Sequence, residues 1–220
     1  MVPTSPRTLW QAGGGPVTAG SPLWYLTRSS AIIAFVLLTG SVVMGVAATR
    51  RTPAWWPRFA SQALHRNMTL LALGFLVLHI TTTVLDSYVS VSWFAAVVPF
   101  ASGYRTLWVT AGTIAGDLMI VLIVSSLARV RFGYARWRAL HWLAYVAWPM
   151  ALVHFLGTGT DARSGWGLML ALGCLIAVLG AVGVRFGTVE DEEPGPARAI
   201  PAARAAGGVD RRAQRTGAGR

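Results

Sequence analysis

The sequence predicts an all-α fold: a polytopic membrane helical bundle of about five transmembrane helices plus one short interfacial segment. Three observations carry that reading. Of 220 residues, 54% are hydrophobic and 12% charged, about half the charged share of a soluble domain. Apolar runs of roughly 20 residues recur along the chain, the length that crosses a hydrocarbon core. All 19 basic residues are Arg, and most lie between those runs or in the C-terminal tail, where such residues set topology.

Residues 1–22 are rich in Gly, Pro, Ser and Thr and read as a flexible N-terminal arm. The first apolar run follows this arm and is of full membrane length, which argues against a secretory signal peptide. That run, about Leu23 to Thr49, is the first span. The second is about Ser61 to Ser87, the third about Leu107 to Arg129, the fourth about Arg138 to Gly157 and the fifth about Gly165 to Phe186. Between spans two and three, "VSWFAAVVPFA" (Val91 to Ala101) is too short to cross and contains Pro99, which suits an interfacial or re-entrant segment. Residues 23–186 thus form the membrane domain. Residues 187–220 run through acidic, Pro, Ala, Gly and Arg clusters without periodicity and read as a disordered basic tail.

Arginine counting sets the expected orientation. Arg50, Arg51, Arg58 and Arg66 follow span one, Arg129, Arg131, Arg136 and Arg138 follow span three, and Arg185 leads into the tail. The other side holds Arg7, Arg28, Arg105 and Arg163. The positive-inside rule then places the N-terminus outside and the C-terminus in the cytoplasm of a multi-pass protein of the inner (plasma) membrane. The net charge of +11 comes with no nucleic-acid fold signature; the expected contact of the tail is membrane lipid, not nucleic acid. A single cysteine, Cys174, excludes a disulfide framework and reads as a small packing residue.

The four histidines carry the chemistry. His65 and His79 lie in span two, His141 and His154 in span four, spaced 14 and 13 residues. Both spans start from the cytoplasmic side, so His65 and His141 share one depth and His79 and His154 the other, about 20 Å away. Opposed imidazoles at one depth suit the two axial positions of a porphyrin iron, and two such pairs imply two haem b stacked across the membrane. The alternative is a non-redox transporter or proton-relay protein whose histidines make interhelical hydrogen bonds or relay protons. Fourteen residues return to within about 40° of the same helix face, whereas thirteen leave an ideal helix about 140° out of phase. Pro149 lies between His141 and His154, so span four is expected to be kinked or rewound there.

"WYLTRSSAIIAFVLLTGSVVMG", "LHRNMTLLALGFLVLH" and "LHWLAYVAWPMALVHF" together resemble the ferric reductase-like transmembrane domain. That domain is shared by ferric reductases, NADPH oxidases and the haem subunit of the periplasmic methionine sulfoxide reductase system. Tyr25-Leu26-Thr27-Arg28 matches the opening of the family's first conserved helix. The resemblance implies two bis-histidine b haems, with His65 and His141 on the inner iron and His79 and His154 on the outer iron. It also implies electron transfer from the cytoplasmic to the outer face. The chain departs from the larger members in that only about 34 residues follow the last span, with no nucleotide-binding fingerprint. Electrons are therefore expected from a separate flavoprotein, a quinol, or a flavin held in the membrane region, and to pass to an outer-face acceptor. Any enzymatic activity is expected of a complex, with no catalytic residue in this chain.

Haem propionates are carboxylates that guanidinium groups bind bidentately. Arg28 and Arg105 near the outer level and Arg66 and Arg138 near the inner one are candidates; the plainer role of Arg66 and Arg138 is to mark topology and snorkel to headgroups. Asp117, well inside span three, is a candidate proton-transfer group or arginine partner, or else a neutral acid bonded to a neighbouring helix. Asp86 and Asp161 read as loop or cap residues. Gly112-Thr-Ile-Ala-Gly116 permits close helix contact, read as intramolecular packing. Trp142, Tyr145, Trp148 and Phe155 could line haem edges or form interface belts; no electron-relay role is assigned to them.

Overall fold

The computed structural model describes residues 22–48, 58–86, 91–159, 162 and 164–187. The N-terminal arm, the C-terminal tail, Arg50, Arg51, Asp161 and Arg163 lie outside the described residues. The order is α1 (Pro22–Ala47), α2 (Arg58–Leu85), α3 (Thr106–Leu127), α4 (Arg129–Phe132), α5 (Tyr134–His141), α6 (Ala144–Thr158) and α7 (Gly165–Gly187). Five helical stretches are long and apolar enough to cross a membrane: α1, α2, α3, α5 with α6, and α7. No strand occurs among the described residues, and the fold is an all-α bundle.

Two antiparallel hairpins organise the site. In the first, Thr27 meets His79 and Ser41 meets His65, so α1 and α2 run in opposite directions. In the second, Trp108 meets His154 and Ser126 meets Trp137, so α3 runs against α5 and α6. His65 faces His141 and His79 faces His154, so α2 and the α5–α6 stretch run parallel, as expected from the sequence. α7 closes the other side of α1 and α6 through a core of Phe35, Trp148, Cys174 and Val178. Phe35 stacks on Phe155 at 5.3 Å and on Trp148 at 6.1 Å, and Trp148 Nε1–H donates to Thr39 Oγ1 at 2.9 Å. Trp148 and Phe155 are therefore core residues, and Cys174 packs as its size and apolar setting suggested. Leu70, Leu71 and Val77 on α2 and Met169, Ile176 and Leu179 on α7 are exposed, apolar surface of the kind a bilayer covers.

Inside these apolar helices the hydroxyls bond back to their own backbone. Ser30, Thr39 and Thr82 donate to the carbonyls of Leu26, Phe35 and Leu78 at 2.6, 2.9 and 2.9 Å. Such bonding satisfies a polar group where no water can.

Span four is broken, but not at the proline. Pro149 sits inside α6, and the joint falls at Trp142–Leu143. There Trp142, Leu143, Tyr145 and Val146 donate to the carbonyls of Ala139, Leu140, Trp142 and Leu143, each three residues back. Pro149 leaves the carbonyl of residue i−4 without its N–H partner; here that residue is Tyr145, the second residue of α6, in the first turn after the joint. Each residue wound at about 120° instead of about 100° advances the phase by about 20°, so four recover about 80° of the missing 140°. The rewinding has the sign needed to bring His141 and His154 toward one face. The span also begins earlier than expected, at Tyr134, after a turn at Gly133 with φ 78°.

The segment from Val91 to Arg105 forms turns rather than a helix. It lies on the first half of α3: Phe100 N–H donates to Thr110 Oγ1 at 2.9 Å, and Thr113 Oγ1 donates to the Ala95 carbonyl at 3.0 Å. Val91 and Ala95 are buried, whereas Trp93, Phe94, Val97 and Phe100 face outward.

Candidate functional site

The two hairpins set their histidines face to face. The ring centroids of His65 and His141 are 6.1 Å apart, with planes at 74°; those of His79 and His154 are 6.2 Å apart, at 71°. A metal bonded at about 2 Å to one nitrogen of each imidazole, with each ring centre about 1 Å behind its nitrogen, puts the centroids about 6 Å apart. Along α2, fourteen residues separate the two levels by about 21 Å.

The ring nitrogens distant from such a metal are already engaged. His79 Nδ1 donates to the Thr27 carbonyl at 3.0 Å and His154 Nδ1 to the Trp108 carbonyl at 2.9 Å. His65 Nδ1 meets the Ser41 carbonyl at 2.8 Å and Ser41 Oγ at 3.1 Å. A neutral imidazole that donates from Nδ1 keeps its lone pair on Nε2, and a carbonyl acceptor on the other nitrogen is the usual second contact of a metal-binding histidine. His141 differs: its Nδ1 is buried with no hydrogen-bond partner among the described residues, an arrangement that costs about 1–3 kcal/mol. Its ring lies over Trp137 at 5.1 Å.

Glycines and threonines fit around these rings. A Cβ on Gly112 would collide with the His154 imidazole, and one on Gly45 would come to 3.3 Å from His65 Cε1. Gly112 of the small-xxx-small motif thus lets α6 approach α3 with the His154 imidazole between them, the intramolecular packing read from the sequence. Thr69, Thr83 and Thr158 each stand four residues after a histidine and donate to its carbonyl, at 2.8, 2.7 and 2.7 Å. Position 145, four after His141, is Tyr. This His-x-x-x-Thr spacing is visible in the sequence; the carbonyl acceptors are not, because any residue type supplies one.

A cavity of about 300 Å³ surrounds the His79/His154 pair, walled by α1, α2, α3, α6 and the Val91 segment. That size lies at the lower end of small-molecule pockets. Its lining is mostly apolar, with polar groups from Thr27, Arg28, Thr83, Asp86 and Tyr104. Arg28 lines it, its guanidinium 4.0 Å above the Trp24 ring. Arg105 is not in the lining: it donates to the Gly157 carbonyl and so caps the last turn of α6. Arg66 and Arg138 are exposed beside the His65/His141 level, Arg138 lying 5.8 Å from the Tyr134 ring. Asp117 is half-buried on α3, outside this cavity lining. Asp86, read from sequence as a loop or cap residue, is buried at 6% exposure and lines the cavity. Its chain position at the end of α2 gave no sign of that burial.

The donor set narrows the chemistry. No group of three or more His, Cys, Asp or Glu side chains gathers among the described residues. Each pair offers two imidazoles, which leaves the other positions of a metal to a ligand that brings its own donors. The model of one protein family matches residues 22–161, which hold all four histidines. The chain belongs to that family, described as a domain of unknown function, DUF8596. No curated protein and no solved structure matches the chain. In this family member the matched stretch takes in both hairpins.

Proposed function

We propose that the chain is a membrane b-type cytochrome subunit that carries electrons across the membrane through two bis-histidine haems. The observation that carries this reading is the repeated pair: two imidazole couples at 6.1 and 6.2 Å, about 21 Å apart along the bundle. The likeness to the ferric reductase-like domain and the positive-inside bias support the same direction, from the cytoplasmic face to the outer one. His65 and His141 are the inner ligands and His79 and His154 the outer ones. Bound haem supplies a one-electron ferric/ferrous couple at each level.

The chain's own residues then have defined work. The carbonyls of Thr27, Ser41 and Trp108 hold three imidazoles in the tautomer that leaves Nε2 free. Gly45 and Gly112 let those rings approach the facing helices. The mostly apolar cavity lines the outer level, and Arg28 in its wall meets the carboxylates there. The donor is a separate cytoplasmic flavoprotein or a quinol, and the acceptor docks at the outer face. A proton relay fits less well, since three Nδ1 atoms donate to backbone carbonyls of neighbouring helices rather than to a facing imidazole or to Asp117.

Proteoliposomes test the proposal. With ferricyanide trapped inside and a membrane-impermeant reductant outside, the haem-loaded chain is expected to bleach the trapped ferricyanide. Vesicles containing His79→Ala are expected to bleach it no faster than empty ones. Trapped ferricyanide that stays oxidised with the loaded wild-type chain overturns the reading.

A further inference from the structure

The two imidazole pairs are anchored to different standards, and the missing anchors fall on one residue. His65, His79 and His154 each have a backbone carbonyl on Nδ1, and each has a threonine four residues later bonded to its own carbonyl. His141 has neither: its Nδ1 is buried without a partner among the described residues, and Tyr145 stands where the threonine would be. It is also the last residue of α5, directly before the tightened joint at Trp142–Leu143. A carbonyl acceptor fixes a ligand ring's orientation and raises its basicity, so a ring without one is both less well aimed and a poorer donor. The His141 ring instead rests against Trp137, with centroids 5.1 Å apart and planes tilted at 30°.

We infer that His141 is the exchangeable ligand, which makes the inner site the place where a small lone-pair donor can take a histidine's position. This rests on the haem reading above. The exchange moves no electrons: the iron–nitrogen bond to His141 opens, the incoming donor bonds in its place, and the imidazole keeps its proton. The outer site, with both rings anchored, stays closed. An external ligand or inhibitor of this class would therefore act on the cytoplasmic side of the wire.

Carbon monoxide is the probe. The purified full chain carrying two haems is reduced with dithionite and titrated with the gas, and the absorbance change is counted per haem. One of the two haems is expected to respond. Trp137→Ala, which removes the ring against His141, is expected to raise the binding rate of that haem severalfold. The double variant His79→Ala/His154→Ala, which keeps only the inner pair, is expected to retain the response. A chain with two haems and no response overturns the inference alone, as does a response that Trp137→Ala leaves unchanged. A chain without haem overturns the reading beneath it.

Discussion

The two hairpins present their histidines at the same two depths by different means. α2 is continuous, and its 14-residue spacing returns His79 close to the face of His65 without adjustment. The α5–α6 stretch has a 13-residue spacing and reaches comparable ring separations, 6.1 and 6.2 Å, through a rewound joint. The continuous helix anchors both its imidazoles, whereas the broken one anchors His154 and leaves His141 without an acceptor. Correct placement and firm placement are thus separate properties. The joint supplies the first at some expense of the second.

Variants can break this comparison in order of expected effect. The largest change is loss of a whole ligand: His79→Ala or His154→Ala should remove the outer haem and leave the inner one, halving the haem-to-protein ratio. Retention of two haems in either variant contradicts the ligand assignment. Next comes the space beside the rings. Gly112→Val places a side chain where the His154 imidazole lies and should lose outer haem, with about 1–3 kcal/mol of overpacking strain. Gly45→Ala meets His65 at 3.3 Å, a contact offset by the helical preference of Ala over Gly, about 0.5–1 kcal/mol, so stability should stay nearly unchanged with both haems kept. Haem content and thermal unfolding of the two variants, side by side, check the order.

The joint itself offers a sharper cut. Pro149→Ala restores an N–H for the Tyr145 carbonyl and permits regular winding, which turns His141 away from His154's face. The inner haem should become substoichiometric while the outer remains. Equal loss of both would mean that the proline only stabilises the bundle. Stability alone should change at Thr39→Val, which leaves the buried Trp148 Nε1–H without its acceptor. It should cost about 1–3 kcal/mol, seen as a lower unfolding temperature, with haem content unchanged.

Much of this was legible in the sequence, for identifiable reasons. Span lengths follow from hydrophobic runs, and the first, second, third and fifth helices end within a few residues of where those runs do. The pairing of His65 with His141 and of His79 with His154 followed from counting positions along parallel spans. The 13-residue spacing and Pro149 pointed to a kinked or rewound span four at the proline, whereas the rewinding lies before it, at Trp142–Leu143. The acceptors on Nδ1 were beyond reach because a backbone carbonyl carries no residue identity. Asp86 was missed because burial at a helix end depends on the neighbouring helices. Arg28 and Arg105 looked alike as arginines near one level; one lines the cavity and the other caps α6.

The central claim is that two imidazole pairs hold two haems, and haem content tests it most directly. The chain, expressed with ample haem supply and purified, should show a reduced-minus-oxidised spectrum of low-spin b haem at two per chain. A chain that folds and carries no haem would contradict the account and return the four histidines to packing or proton relay.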